Sequence, residues 1–210
     1  MSELYDILVE IPPTKVILLA LDQGLWDCER SLAELAALCE ANHMEAVAEV
    51  TQKRQTPETG IVLGSGKLEE ASLAAQELGA ECAVFDGELT GSQIRNLSAA
   101  LQVEVLDRTM LILDIFAARA VSGEGKLQVE LARLQYQLPR LAGRGVQLSR
   151  QGGGGAGGTG ARRGAGETKL EVDRRHIRRR IDALKTELAA LARRREQRRA
   201  RRKKDGIVTA

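Results

Sequence analysis

Aromatic residues are scarce: one Trp, two Tyr and two Phe in 210 residues. So few rings cannot supply a row of stacking platforms for unpaired bases. Leu and Ala carry the apolar mass instead, which favours helices. Cysteine is scarce as well. Cys28, Cys39 and Cys82 are odd in number, scattered and without CxxC spacing. That excludes a disulfide framework and fits a reducing compartment. The two histidines, His43 and His176, have no companions at ligand spacing, so no metal site is expected. No Ser/His/Asp or Cys/His constellation stands out, and no catalytic residue is assigned. Long apolar runs are missing too. Val16–Leu21 is far too short to span a bilayer, and the acidic start MSELYDILVEIPP is not a signal peptide. A cytoplasmic protein without a membrane span is the expectation.

What is present is unevenly spread. The net charge of +2 conceals a segregation: residues 1–139 hold 10 Lys and Arg against 22 Asp and Glu, and residues 140–204 hold 21 against 6. Such a basic half suits a polyanionic partner. The plainer alternative is a solvated helix face with attraction between the two halves. Glycine is concentrated as well, with eleven between Gly143 and Gly166. The stretch 143–169 is costly to order, and Val146 and Leu148 are its only bulky apolar residues before Leu170.

The first half alternates. Lys15–Asp22 is a continuous apolar run closed by Asp22, as in a strand buried on both faces. Cys28–Asn42 has helical spacing, Met44–Gln52 reads as a strand, and Leu68–Leu78 as a helix stopped by Gly79. Glu81–Asp86 is a third strand. Thr90–Leu101 is a helix with Thr90 as N-cap, and Val103–Asp107 is a fourth strand. Residues 1–107 are therefore expected to form a small α/β subdomain with a mainly parallel four-stranded sheet.

From residue 108 the pattern changes. Leu127, Leu131, Leu134, Leu138 and Leu141 are spaced as a heptad seam. Each glycine inside a helix costs about 1 kcal/mol, so a break is expected at Gly123 and Gly125, with Ser122 capping the second piece. Beyond the glycines, Leu170, Ile177, Ile181, Leu184, Leu188 and Leu191 repeat the seam, with Arg174 in the missing place. Residues 108–204 thus read as a long antiparallel two-helix coiled-coil hairpin with a glycine-rich tip loop. About 20 residues at 1.5 Å each give an arm of about 30 Å. From Arg193 to Lys204 the seam stops, and nine of twelve residues are Arg or Lys. This part reads as a solvated stalk or a frayed end. Residues 205–210 look like a turn and the start of a strand.

GIVLGSGK (Gly60–Lys67) invites a P-loop reading but fails it: five residues separate Gly60 from Gly66, and Leu68 follows Lys67 where a hydroxyl is required. Gly64, Gly66 and Lys67 could still hold an anion at a helix N-terminus; a tight backbone turn is the plainer reading. Asp107 and Arg108 stand at the carboxyl end of the fourth strand, where α/β folds often place ligands, though a helix cap with a local ion pair is the plainer reading. The basic constellation is stronger. Arg174, Arg175, Arg178, Arg179 and Arg180 crowd the second hairpin helix, and Arg162, Arg163 and Lys169 lead into it. Guanidinium groups suit phosphates, and a structured RNA gripped through its backbone fits best.

Several runs together resemble one family: Gly64–Lys67 with Glu70, DGELTGSQIRNL (86–97), DRTMLILDIFAA (107–118), GKLQVELARL (125–134), PRL (139–141) and GAGETKLEVDRR (164–175). They are similar to the N-terminal region of the HflX family of ribosome-associated GTPases, over about residues 10–210. The resemblance implies a parent protein that splits or rescues stalled ribosomes, using GTP and Mg²⁺ in a GTPase domain absent from this chain, whose first strand would begin at 205–210. This chain alone would then have no GTPase activity and need no cofactor. The resemblance also implies that the arm enters the large ribosomal subunit. Contact with rRNA is thereby carried onto Arg144, Arg150, Arg162, Arg163, Lys169, Arg174 and Arg175. Two rivals stay open. One makes the α/β part an ATP-binding or ATPase unit around Gly64, Gly66, Lys67, Asp107 and Arg108. The other makes the hairpin a brake on the missing GTPase domain.

Overall fold

The computed structural model describes residues 12–141 and 163–205, with backbone alone for 163–170. By contacts the chain divides into two compact units: Met1–Glu88 with Ile94–Leu111, and Leu89–Gln93 with Ile112–Ala210.

The first unit is built on β1 (Thr14–Asp22). Val16, Ile17, Leu18 and Leu19 are fully buried there, and Ala20 and Leu21 nearly so. An apolar run with no polar face needs a strand on each side and helices above and below. The other strands are β2 (Met44–Lys53), β3 (Cys82–Phe85) and β4 (Glu104–Asp107). The order is β2-β1-β3-β4 and every pairing is parallel. The sheet is thus wholly parallel among the described residues, beyond the mainly parallel one expected. Val16 pairs with Ala46 and Ile17 with Ala48, so the register slips by one residue at β2. The edge strand β2 buries only Val50, in keeping with its alternating sequence.

Parallel strands need crossovers, supplied here by α1 (Cys28–Ala41), α2 (Ser65–Leu78) and α3 (Gly91–Leu101). Each has a local start or stop signal. Asp27 accepts from the Arg30 N–H to cap α1. Gly79, at φ 66°, closes α2 in the left-handed conformation. Thr90 accepts from the Gln93 N–H at 3.3 Å, while Gln93 Oε1 accepts from the Thr90 N–H at 2.8 Å. That reciprocal pair is a capping box. Helix α2 starts three residues before the apolar periodicity does, at Ser65.

The turn before α2 is held from several sides. Glu58 and Val62 exchange backbone hydrogen bonds at 3.1 and 3.0 Å. Asn96 Nδ2 donates to the Gly60 carbonyl at 2.8 Å, and the Gly64 N–H donates to Gln52 Oε1 at 2.7 Å. Val62 is buried at φ 70°, a strained conformation for a β-branched residue, and these bonds hold it there.

The second unit contains α4 residues from 112 onward, α5 (Gly123–Arg140) and α6 (Arg163–Lys204); α4 itself runs Arg108–Arg119. The break between α4 and α5 falls at 120–122, just before the expected glycines. Both lie in the first turn of α5. Ser122 Oγ accepts from the Gly125 N–H at 3.0 Å, and a Cβ on Gly125 would stand 2.9 Å from that oxygen. Glycine at 125 therefore leaves room for the cap. The glycine-rich stretch 143–162 lies outside the described residues, as do 206–210. No helix among the described residues is long and apolar enough to cross a membrane.

The last turn of α5 packs against the segment 89–93. Arg140 Nε donates to the Leu89 carbonyl at 3.0 Å, and its guanidinium lies 3.3 Å from the Tyr136 ring centroid. Gly91 approaches so closely that a Cβ there would lie 2.2 Å from the Arg140 carbonyl oxygen. Gly91→Ala is thus expected to destabilise the chain by about 1–3 kcal/mol. Gly66→Ala, whose Cβ meets nothing, should be neutral or stabilising by up to about 1 kcal/mol. Urea midpoints of the two variants check this pair; equal midpoints would refute the close approach.

Candidate nucleic-acid interface

Two groups of residues were singled out by sequence, and they fall in different places. In the first unit, Lys67 Nζ is paired with Glu70 at 2.7 Å on α2. Gly64 is the N-cap of α2 without a side-chain cap bond, and Gly66 faces open space in its first turn. Asp107 is fully buried, and its Oδ1 accepts from the Met110 N–H at 2.9 Å, capping α4. Gly64–Lys67 follow β2 and Asp107–Arg108 follow β4, which are opposite edges of the sheet. Three strand spacings of about 4.8 Å, roughly 14 Å, separate those edges. The structure does not bring the two groups together.

Arg108 instead joins three elements. Its Nη1 donates to Asp86 Oδ1 at 2.8 Å and to Ser31 Oγ at 2.9 Å, and its Nη2 donates to Glu34 Oε2 at 3.0 Å. Asp86 follows β3 directly and is nearly buried, with 5% of its side chain exposed. Burial alone would lower the Arg108 pKa, but the bonds it donates to Asp86 and Glu34 outweigh that and raise it. Sequence reasoning placed Asp107-Arg108 as a cap with a local ion pair. The cap is local, but the ion pairs reach 22 and 74 residues away. No periodicity could signal those partners.

Thiol chemistry has little support here. Burial pushes the Cys39 thiol up to about 11 and Cys82 up to about 12. Burial and the nearby Asp22, Asp86 and Asp27 also raise Cys28. All three are protonated and weakly nucleophilic at neutral pH. Among the described residues no group of three His, Cys, Asp or Glu is placed to hold a metal ion.

The second group is basic. Arg144, Arg150 and Arg162 lie outside the described residues. Arg163 opens α6 and Lys169 lies in its second turn, each described by backbone alone. Arg174 is half-buried at its seam position, and its Nε has no hydrogen-bond partner among the described residues. Arg175, Arg178 and Arg179 are exposed. Arg180 turns to α5, with Nε and Nη2 donating to the two oxygens of Glu130 at 2.6 and 2.8 Å. Farther along, Arg195 of α6 pairs with Glu124 of α5. On α6 the seam residues Ile181 and Leu184 are buried, and Leu127, Leu131, Leu134 and Leu138 of α5 are half-buried. Lower on α5, Asp114 of α4 pairs with Arg133 at 2.8 Å. The outcome is a long helix held by fixed pairs on one side, with guanidinium groups on another that have no ion pair among the described residues.

Comparison with known proteins gives two family matches along the chain. A family model described as GTP-binding GTPase N-terminal matches residues 29–117, and one described as GTP-binding GTPase Middle Region matches 119–202. The chain belongs to the HflX family. The GTPase HflX of Caldanaerobacter subterraneus subsp. tengcongensis is 50% identical over 193 residues, covering 92% of this chain and 44% of that protein. The protein of the same description from Alkalihalophilus pseudofirmus is 49% identical over 86% of this chain and 41% of its own length. That of Escherichia coli is 42% identical over 85% and 41%. The chain thus spans about two-fifths of the length of these curated relatives. Among solved structures, the SsGBP–GDP complex superposes with a TM-score of 0.62 at 23% identity, over 87% of this chain and 46% of that one. A GTP-binding protein of Sulfolobus solfataricus, also with GDP, gives 0.56 at 23%, over 85% and 46%. At that identity the likeness speaks for the fold alone.

Two outcomes are expected. Arg108→Ala leaves the nearly buried Asp86 carboxylate without its cation, which should cost about 2–3 kcal/mol in a urea titration; a loss under about 0.5 kcal/mol would refute its joining role. The hydrogen bond from Arg180 lowers the Glu130 pKa below its ordinary 4.5. A lowered carboxylate pKa stabilises the fold above the unfolded value, and that contribution is lost as pH falls through the folded value. Glu130→Gln should therefore lower the urea midpoint at pH 7, and its difference from the parent chain should shrink as pH falls below the ordinary 4.5.

Proposed function

We infer that this chain is the ribosome-binding module of an HflX-type GTPase, and that its partner is the rRNA of the large subunit. Residues 1–107 form the α/β subdomain in this reading, and residues 108–204 form an antiparallel coiled-coil hairpin. The glycine-rich stretch is its tip loop, ending at 162 and not at 169 as the sequence suggests, because α6 already begins at Arg163. Residues 205–210 lead into the GTPase domain, which binds GTP with Mg²⁺ and is the hairpin's partner within the parent. The parent works in the cytoplasm and dissociates or rescues stalled ribosomes, while this chain alone hydrolyses no GTP.

The observation that carries the reading is the free basic face of α6. Arg175, Arg178 and Arg179 are exposed and have no ion pair among the described residues, while Arg180 beside them is spent on Glu130. Guanidinium groups that are always charged and hold five donors each suit phosphate oxygens. Glycines let a backbone approach RNA closely. Arg144, Arg150, Arg162, Arg163, Lys169, Arg174 and Arg175 are the contacts assigned to rRNA. The scarcity of aromatic side chains fits contact with phosphates and shape, not stacking on unpaired bases.

Co-sedimentation with isolated large ribosomal subunits across a salt series tests this. By the duplex-DNA rule, seven phosphate contacts make affinity fall by roughly 10³ or more between 50 and 200 mM salt. Arg162→Ala/Arg163→Ala should weaken binding and flatten that dependence. Binding that ignores salt, or ignores the double substitution, would count against the loop as the RNA contact.

A further inference from the structure

The final turns of α6 hold a second basic surface that the tip-loop reading leaves unused. Helix α6 continues to Lys204, so the run from Arg193 is neither frayed nor irregular. Arg194, Arg198 and Arg202 stand four residues apart in one row, and Arg195 and Arg199 form a second row. Four residues of helix rise about 6 Å, close to the separation of successive phosphates along a nucleic-acid strand. Both rows line one groove of about 410 Å³, together with Leu191 and Glu124.

The charge in that groove is not balanced locally. Glu124 is its one carboxylate, and Arg195 already takes it. Arg194, Arg198, Arg199 and Arg202 have no ion pair among the described residues. Like charges four residues apart on a helix repel, and the first row repeats that contact twice. A helix that needed only solubility would interleave acid, as α1 does with Arg30 and Glu34. No aromatic side chain lines the groove, so nothing in it would hold an unpaired base by stacking. The rows are fixed on one continuous helix, which suits a partner whose phosphates are also at fixed spacing.

We propose that the arginine-lined groove between the last turns of α6 and the start of α5 binds the phosphate backbone of double-helical RNA. This extends the RNA-binding reading to a second surface. Its test uses free duplex RNA in place of ribosomal subunits, so that either can fail alone.

The experiment is fluorescence anisotropy of the 210-residue chain with a labelled mixed-sequence RNA duplex over a salt series. Arg194→Gln/Arg198→Gln/Arg199→Gln/Arg202→Gln keeps good helix formers in place, checked by circular dichroism. The log–log salt slope should fall by about 3–4 at roughly 0.9 per phosphate lost, with affinity down tenfold or more. The four corresponding Arg→Lys changes should keep the slope. Arg119→Gln, at an exposed arginine of α4 outside the groove, should leave duplex binding within about threefold. If the fourfold Gln variant loses helicity, Arg198→Gln/Arg202→Gln replaces it, with an expected slope change of about 2. An unchanged slope overturns the proposal. So does equal affinity for a single strand of the same sequence, or capture by anionic-lipid vesicles as strong as by RNA. Subunit binding without duplex binding refutes this groove and leaves the loop reading standing; duplex binding without subunit binding does the reverse.

Discussion

Everything in the first unit follows from the fact that β1 has no polar face. A strand whose side chains are buried above and below cannot sit at an edge or be covered by water. It must have neighbours on both sides, and β2 and β3 provide them. Parallel pairing then requires crossovers, so α1 and α2 are obligatory and not decorations. The chain must also reverse its direction across the sheet between β1 and β3. Such a reversal opens a crevice at the carboxyl ends of the strands. Here Asp86 lies next to that place and is joined to Arg108.

That use of the crevice matters for function. A guanidinium joining Asp86, Ser31 and Glu34 ties the end of β3, the face of α1 and the start of α4 into one fixed cluster. The group most exposed to suspicion as a ligand-binding pair, Asp107-Arg108, is therefore fully engaged within its own unit. The basic face of α6 has the opposite character. Among the described residues most of its arginines have no ion pair, and it belongs to the part of the chain where positive charge is concentrated.

The elements with strong local signals were legible in the sequence. The unbroken apolar run of β1, the capping box of Thr90 and Gln93, the cap at Ser122 and the stop at Gly79 each depend on residues within a few positions. The boundaries drifted where tertiary contacts decide them. Helix α2 begins at Ser65 because Gln52 and Asn96 position the turn before it, and neither is close in sequence. Of the candidate sites, the basic character of α6 could be read directly. Which arginines are spent could not. Arg180 and Arg175 look alike in the sequence, yet Glu130, fifty residues upstream, engages only Arg180. The groove at Arg194–Arg202 was equally hidden, because the loss of the apolar seam reads as the end of order when it marks only the end of the seam.

Helix α6 is 42 residues long, or about 63 Å at 1.5 Å per residue. An unbroken rod of that length is a lever. A tilt of about five degrees at one end carries the other through about 5 Å, on the order of one helical turn. Hinging would absorb such a tilt, but among the described residues α6 contains no proline, and its glycines are confined to its first turn. Whatever grips one end of this rod therefore sets the position of the other, and a small rotation becomes a displacement large enough to change which atoms meet.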